Sequence, residues 1–146
     1  MNREHSIQLA VSQLMLPDQV SIRAWQEADY SAVCDLALAE GWTTLHDRPE
    51  DGMLAWKHAW PALVVIHDRN LIGFLRALTD EVVTLYVADL LVAPVWRGKG
   101  IGSRLLELCH LLYPSVRFDL LSTEHAEKFY QSQGFRSFQG FRKSYQ

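Results

Sequence analysis

Three glycines stand two residues apart in the second half of the chain, and a cationic residue precedes each of the first two. Arg97 comes before Gly98 and Lys99 before Gly100, with Gly102 closing the set. A strand-like apolar run precedes this turn and a helical pattern follows it. Glycines let a backbone approach phosphate closely, and the first N–H groups of a helix are unpaired and point at the anion. The spacing predicts a phosphate-binding turn. The alternative is a helix that simply begins on a glycine turn with a basic surface.

Two common nucleotide-binding motifs do not fit the spacing of these glycines. A P-loop needs a Gly-Lys-Ser/Thr triplet, whereas Lys99 precedes Gly100 and no such triplet follows. A dinucleotide fingerprint is closer, with Asp119 at about the right distance, but Ser103 stands where its third glycine or alanine belongs. Only 44 residues follow Gly102, which is too few for the repeated βαβ halves of such a domain.

The segment from Leu90 to Ser103, LLVAPVWRGKGIGS, resembles the acetyl-CoA signature of the GNAT superfamily of N-acetyltransferases. The segment from Thr123 to Tyr130, TEHAEKFY, followed by Gly134-Phe135, resembles the second motif of that family. Ser21 to Ala24 resembles its opening strand. The resemblance leaves out only the first 17 residues, and it implies an acetyl-CoA-dependent N-acetyltransferase.

The resemblance also implies roles for particular residues. The pyrophosphate of acetyl-CoA would be held by backbone N–H groups of Arg97, Gly98, Lys99, Gly100, Ile101 and Gly102, with Ser103 at the helix start. The pantetheine arm would pair with the backbone of Leu90, Leu91 and Val92. A β-bulge near Leu91 would splay this strand from the next and free an N–H for the thioester oxyanion. Phe129 and Thr123 complete the predicted cofactor-binding set. Many relatives have asparagine in place of Thr123, so that Thr123 could instead cap the last helix.

Amide formation at a thioester needs a proton donor for the departing thiolate. A tyrosine, with a pKa of about 10, is protonated near neutral pH and suits this task. The resemblance places Tyr130 beside the cofactor sulfur, and we therefore predict that it is the general acid. The alternative is a tyrosine packed between helix and sheet.

The attacking amine must also lose a proton, because an alkylammonium with a pKa of about 10.4 is almost fully charged at pH 7. Asp89 alternates with Val87 and Leu91 along the strand that leads into the glycine turn, so that its carboxylate could face the cleft and act as the base. Alternatives are a structural hydrogen bond for Asp89, a base among Asp119, Glu124 and Glu81, and a chain of water molecules. The spacing of the histidines suggests no metal site, and none is predicted.

The hydrophobic pattern predicts an α+β fold with a mixed sheet. We expect an antiparallel meander, then a strand-helix-strand parallel crossover, with helices on both faces. The predicted strands are 20–24, 62–67, 71–78, 82–92 and 116–121. The predicted helices are 28–41, one around 53–60, 101–112 and 126–133 with Gly134 as its cap. A closing strand or hairpin is expected to contain Phe135, Phe138, Phe141 and Tyr145.

Composition limits the possible functions. The 146 residues suit one domain, predicted over 18–146 with residues 1–17 as an extension of unclear role. The net charge of −3 argues against nucleic acid as a partner. No apolar run is long enough for a membrane span and no secretion signal stands at the N-terminus, so that a cytoplasmic location is expected. The protein is expected to be a monomer or a homodimer.

The acceptor is expected to be an amine of a small molecule or of a protein. Residues 40–60 hold Trp42, Trp56 and Trp60 among several carboxylates, which would suit a cationic amine, although core tryptophans and a solvated acidic loop explain the same residues. Two other functions stay open: a non-catalytic acyl-CoA-binding module and transfer of a longer acyl group.

Overall fold

A computed structural model describes residues 2–145 and contains one mixed five-stranded sheet with helices on both faces. The strands lie in chain order, β1 to β5. They are β1 (Val20–Ala24), β2 (Ala62–His67), β3 (Asn70–Thr79), β4 (Thr84–Val92) and β5 (Arg117–Leu120). The helices are α1 (Arg3–Val11), α2 (Tyr30–Ala39), α3 (Thr44–Asp47), α4 (Pro49–His58), α5 (Ile101–Leu112) and α6 (Glu127–Ser132). The predicted α+β class is confirmed.

The strands β2, β3 and β4 form the predicted antiparallel meander, and β1 extends it by pairing antiparallel with β2. The strand β5 joins β4 in parallel after the crossover through α5. Alternate residues of β2 face opposite layers: Leu63 and Val65 pack with α1 and α5, whereas Val64 packs with α2 and α4. The three residues are fully buried. A strand buried on both faces reads as a continuous apolar run, which is how β2 appears in the sequence.

A β-bulge at Ala88 changes which face the side chains of β4 occupy. Arg76 of β3 lies opposite Asp89, but the next residue of β3, Ala77, lies opposite Val87, so that Ala88 has no partner. Val87 therefore packs in the core beneath α5, whereas Leu91 packs in the core beneath α2 and α4. Without the extra residue, the strand alternation would put both on the same face.

Helix α1 makes the N-terminal segment part of the core. Ile7 and Ala10 are buried against β1 and α5, and the side chain of Asn2 caps the helix by accepting a hydrogen bond from the N–H of His5 at 2.8 Å. The sequence carried the signal, since Ile7, Ala10, Val11 and Leu14 are spaced as one face of a helix. Residues 1–17, left above as an extension of unclear role, thus contribute a helix to the core.

The start of α2 is anchored to β1 by an ion pair. Arg23 donates to both carboxylate oxygens of Asp29, each at 2.8 Å, and the N–H of Gln26 donates to the same carboxylate. Burial alone would raise the pKa of Asp29, but these hydrogen bonds outweigh it and the pKa is lowered. The bidentate geometry fixes the direction in which α2 runs across the sheet.

The polar stretch after α2 is more helical than the sequence predicted. Helix α4 begins at Pro49, four residues before the predicted apolar pattern, because proline suits the first turn of a helix and needs no N–H partner there. Glu50 and Asp51 lie in its first turn and Lys57 and His58 in its last, which complements the helix dipole.

The predicted closing strand is wrong over the described residues. Gly134 ends α6 with a φ of 89°, as predicted, but the residues from Phe135 to Tyr145 form no regular structure. Phe138, Phe141 and Tyr145 are more than three-quarters exposed. The reason lies in their spacing, since Phe135, Phe138 and Phe141 recur every third residue and cannot share one face of a strand.

We expect Ile7→Ala to lower the free energy of unfolding by about 2–4 kcal/mol, because it opens a cavity in a closed core. Urea denaturation monitored by tryptophan fluorescence measures the change. Leu9→Ala is the control, since Leu9 lies on the same helix but is 45% exposed. Equal effects of the two substitutions would show that α1 does not contribute to the core in solution.

Candidate active site

A cleft opens where β4 and β5 separate. The two strands are paired only from Thr84 to Val87 on β4, opposite Arg117 to Leu120. Beyond the bulge at Ala88, β4 continues to pair with β3 alone. The cavity of about 520 Å³ at this point is bordered by the free edge of β4, the start of α5 and the helix α6.

The cavity brings together most of the residues that the sequence singled out. They are Leu90, Leu91, Val92, Arg97, Gly98, Gly100, Ile101, Gly102, Ser103, Thr123, Phe129 and Tyr130. Lys99 and Asp89 do not line it. The residues come from two distant parts of the chain, which the β4-α5-β5 crossover brings next to each other.

The glycine turn presents unpaired N–H groups to the cavity. Gly100 precedes α5 with a φ of 82°, a left-handed conformation that L-residues with side chains rarely adopt. The first helical hydrogen bond runs from the N–H of Arg104 to the carbonyl of Gly100 at 3.0 Å. The N–H groups of Ile101, Gly102 and Ser103 therefore have no carbonyl within the helix and can bind an anion.

Gly102 lets α6 approach α5 closely. A Cβ atom at this position would lie 3.0 Å from Cζ of Phe129, closer than side chains normally come. The ring of Phe129 thereby covers the first turn of α5 and forms one wall of the cavity. Phe129 thus has a packing role that the motif alone did not show.

The cations of the turn are held by different partners. The ammonium of Lys99 lies 5.2 Å from the ring centre of Trp96, a cation–π contact, and Trp96 packs against His67 at 4.5 Å. Arg97 donates from Nε to the carbonyl of Val92 at 3.0 Å and from Nη2 to Oε2 of Glu40 at 2.7 Å. The ion pair with Glu40 spans 57 positions of sequence.

Tyr130 lies in the cavity wall among aromatic rings. Its ring is 5.1 Å from that of Phe129 and 5.6 Å from that of Phe135, both edge to face. Burial raises the pKa of Tyr130, because the phenolate would lose hydration. The phenol is therefore protonated throughout the physiological pH range and can donate a proton.

Asp89 makes the structural hydrogen bond that was left open above as the alternative to a base, and its partner is Arg76 on the neighbouring strand. Its carboxylate accepts a hydrogen bond from Nε of Arg76 at 2.6 Å, across the β3–β4 ladder. The expected alternation of Val87, Asp89 and Leu91 is wrong, because the bulge at Ala88 puts Asp89 on the face of Leu91 but not on that of Val87. The bulge itself was expected near Leu91 and lies three residues earlier.

The other carboxylates considered as bases lie outside the cavity lining. Asp119 pairs with Arg117 at 3.1 Å, Glu81 accepts a hydrogen bond from the hydroxyl of Tyr113 at 2.8 Å, and Glu124 is exposed. Among the described residues, Glu40 is the only carboxylate that lines the cavity. The sequence placed Glu40 in the stretch that borders the cleft but gave no sign of its contact with Arg97.

Thr123 lines the cavity at the start of the last helical segment. Its carbonyl accepts a hydrogen bond from the N–H of Ala126 at 3.1 Å, but its side chain makes no capping hydrogen bond. The suggestion that Thr123 caps the last helix with its hydroxyl is therefore wrong.

The described residues, 2–145, offer neither a metal cluster nor a helix that could cross a membrane. No three His, Cys, Asp or Glu side chains lie together as a metal site would require. No helix in this part of the chain combines the length and the apolar character of a membrane span.

The chain is similar in sequence to one known protein family. The model of the acetyltransferase (GNAT) domain matches residues 58–137, which is more than half of the chain. No curated protein sequence shows a significant match.

Solved structures with the same fold include several acetyltransferases. A GNAT-family acetyltransferase from Streptococcus pneumoniae is 24% identical, with a TM-score of 0.73 over 86% of this chain and 98% of the other. An aminoglycoside acetyltransferase from an uncultured soil sample is 16% identical, with a TM-score of 0.66 over 90% and 99% of the two chains. The PaiA N-acetyltransferase from Thermoplasma acidophilum, solved in complex with coenzyme A, is 18% identical, with a TM-score of 0.64 over 80% and 89%.

The family match includes the free edge of β4, the glycine turn, α5 and α6, which together form the cleft. The structural neighbours share the mixed sheet that holds these elements. The chain belongs to the GNAT family of acetyltransferases and is an acyltransferase.

Proposed function

We propose that the protein transfers the acetyl group of acetyl-CoA to a primary amine of a small molecule or of a protein. The observation that carries this proposal is that the anion-binding turn and the protonated phenol of Tyr130 line one cavity. The reaction needs both, since the first would hold the donor and the second would assist its leaving group.

The donor fits the cleft in two parts. The N–H groups of the turn from Arg97 to Gly102, with Ser103 at the helix start, would bind the pyrophosphate. The backbone edge of β4 from Leu90 to Val92, which has no strand partner on the side of β5, would pair with the amide groups of pantetheine. Thr123 and Phe129 lie on the opposite wall.

The amine attacks the thioester carbonyl directly. A new C–N bond forms while the carbonyl oxygen gains negative charge, which an N–H of the β4 edge near Leu91 would stabilise. The C–S bond then breaks, and the leaving thiolate takes the proton of the Tyr130 hydroxyl. Loss of the proton from the nitrogen completes the amide, and the tyrosinate is reprotonated from solvent.

Asp89 is the candidate for accepting the proton of the amine. It shares a face of β4 with Leu91, a residue of the cavity wall, but its carboxylate is bound by Arg76. An ion-paired carboxylate outside the lining would act through water and not by direct contact.

Tyr130→Phe should leave the Kd for acetyl-CoA unchanged and lower kcat at least about tenfold, because it removes only the proton donor. Release of free thiol from acetyl-CoA over a panel of amines gives kcat, and calorimetry gives Kd. Tyr145→Phe, in an exposed position, is the matched control. An unchanged kcat in Tyr130→Phe would remove Tyr130 from the mechanism.

The raised pKa of Tyr130 gives a further expectation for the pH dependence of kcat. Since the acid must be protonated, and its pKa lies above the ordinary value, kcat should not fall on the alkaline side before the pH exceeds about 10. A fall at lower pH that is absent from Tyr130→Phe would show that Tyr130 ionises there and would contradict its raised pKa.

Asp89→Asn should lower kcat/KM at neutral pH at least about tenfold, with recovery as the pH approaches the pKa of the amine. A neutral amine no longer needs a base, so that the loss should depend on pH. Asp119→Asn, which breaks a more exposed ion pair on β5, outside the cavity, is the control. A loss that is the same at every pH would mean that Asp89 only supports the strand pair.

Gly100→Ala should weaken acetyl-CoA binding at least about tenfold, because the left-handed backbone costs an L-residue about 1–2 kcal/mol and the turn would relax away from its anion-binding shape. Gly134→Ala is the control, since Gly134 has a φ of 89° and equally open surroundings but lies outside the cavity. Both variants should lose similar stability in urea. Equal Kd values for acetyl-CoA in the two variants would refute a role of the turn.

A further inference from the structure

Glu40 links the end of α2 to the glycine turn through an ion pair with Arg97, and both residues line the cavity. It follows the end of α2, and its Oε2 lies 2.7 Å from Nη2 of Arg97 at the start of the glycine turn. The guanidinium is also bound to the carbonyl of Val92, the last residue of β4. Arg97 is thus held between the end of α2 and the end of the strand that borders the cavity.

The guanidinium of Arg97 has two competing partners if the turn binds pyrophosphate. The side chains of the pair are 47% exposed for Arg97 and 32% for Glu40, and ion pairs this exposed to solvent contribute little to stability. A diphosphate carries more charge than a carboxylate and offers the fork of Arg97 several oxygens. Binding of the donor would therefore draw Arg97 away from Glu40.

A carboxylate released in this way would lie in a cavity whose other charged or titratable basic residues, among those described, are Arg97 and His125. Glu40 is the only carboxylate in the lining among the described residues, and Trp42 lies two residues farther along the same wall. An anionic group beside an aromatic ring is a suitable environment for an alkylammonium.

The released charge is suited to a part of the acceptor that does not react. Pairing with a carboxylate stabilises the protonated form of an amine, whereas the attacking nitrogen must be neutral. Glu40 therefore favours an acceptor that has a second cationic group besides the amine that is acetylated.

We propose that Glu40 is a specificity-determining residue that selects acceptors with two or more cationic groups, such as diamines and polyamines, and that it exchanges Arg97 for the acceptor when acetyl-CoA binds. The inference rests on the proposed N-acetyltransferase function. Acetyl-CoA then binds Arg97, and the acceptor binds Glu40. Binding of the donor thus frees the carboxylate that the acceptor needs.

The test compares putrescine, a diamine, with butylamine, the monoamine of the same chain length, in the wild-type protein and in Glu40→Gln. The wild type should show a kcat/KM for putrescine at least about tenfold above that for butylamine, as a charged hydrogen bond would give. Glu40→Gln should abolish this preference by lowering the putrescine value and leaving the butylamine value unchanged. Its Kd for coenzyme A, measured by calorimetry, should be equal to or lower than that of the wild type, because a competitor for Arg97 is gone.

Glu4→Gln removes the same charge from the exposed face of α1 and should change none of these values. An equal loss for both amines in Glu40→Gln, or weaker binding of coenzyme A, would show that Glu40 only supports the fold and would overturn the inference. Equal use of both amines by the wild type would overturn it as well. A wild type that releases no thiol with any amine would refute the proposed function itself, and that result differs from the others.

Discussion

The β-bulge at Ala88 is the feature on which the arrangement of the cleft depends. Before it, β4 is paired on both sides, with β3 and with β5. After it, the strand keeps β3 and leaves its other edge free, which opens the space that the cavity occupies. The extra residue also turns Leu91 toward the layer of α2 and α4, so that the last part of β4 contributes to both cores.

Helix α5 forms the other side of the opening, and its position is fixed by burial. Leu105, Leu108 and Cys109 of α5 are fully buried against the sheet. Helix α1 packs against α5 and β1 in the same core. Arg104 also donates to the carbonyl of Met15 in the segment that joins α1 to β1. Because the helix cannot shift along the sheet, its N-terminus stays beside the free edge of β4.

The two halves of the cleft are built in different ways. The half proposed to bind the donor consists largely of backbone groups, at the glycine turn and along the edge of β4, and so it would require particular conformations more than particular side chains. Side chains from the region after α2, including Glu40 and Trp42, line another part of the cavity, which the proposal assigns to the acceptor. The part built from backbone groups can be recognised from a short sequence motif, because glycines and the change from a strand pattern to a helix pattern occur within a few neighbouring residues.

The sequence by itself determined the α+β class, the meander followed by the crossover, and the glycine turn at the start of α5. Each of these depends on local periodicity or on a conformation that glycine adopts at low cost. Only the tertiary structure decided the position of the bulge, the pairing of Asp89 with Arg76, the contact of Glu40 with Arg97 and the burial of α1. Those features join residues that are distant in sequence, and their energies come from packing and charge pairs that exist only once the sheet has formed.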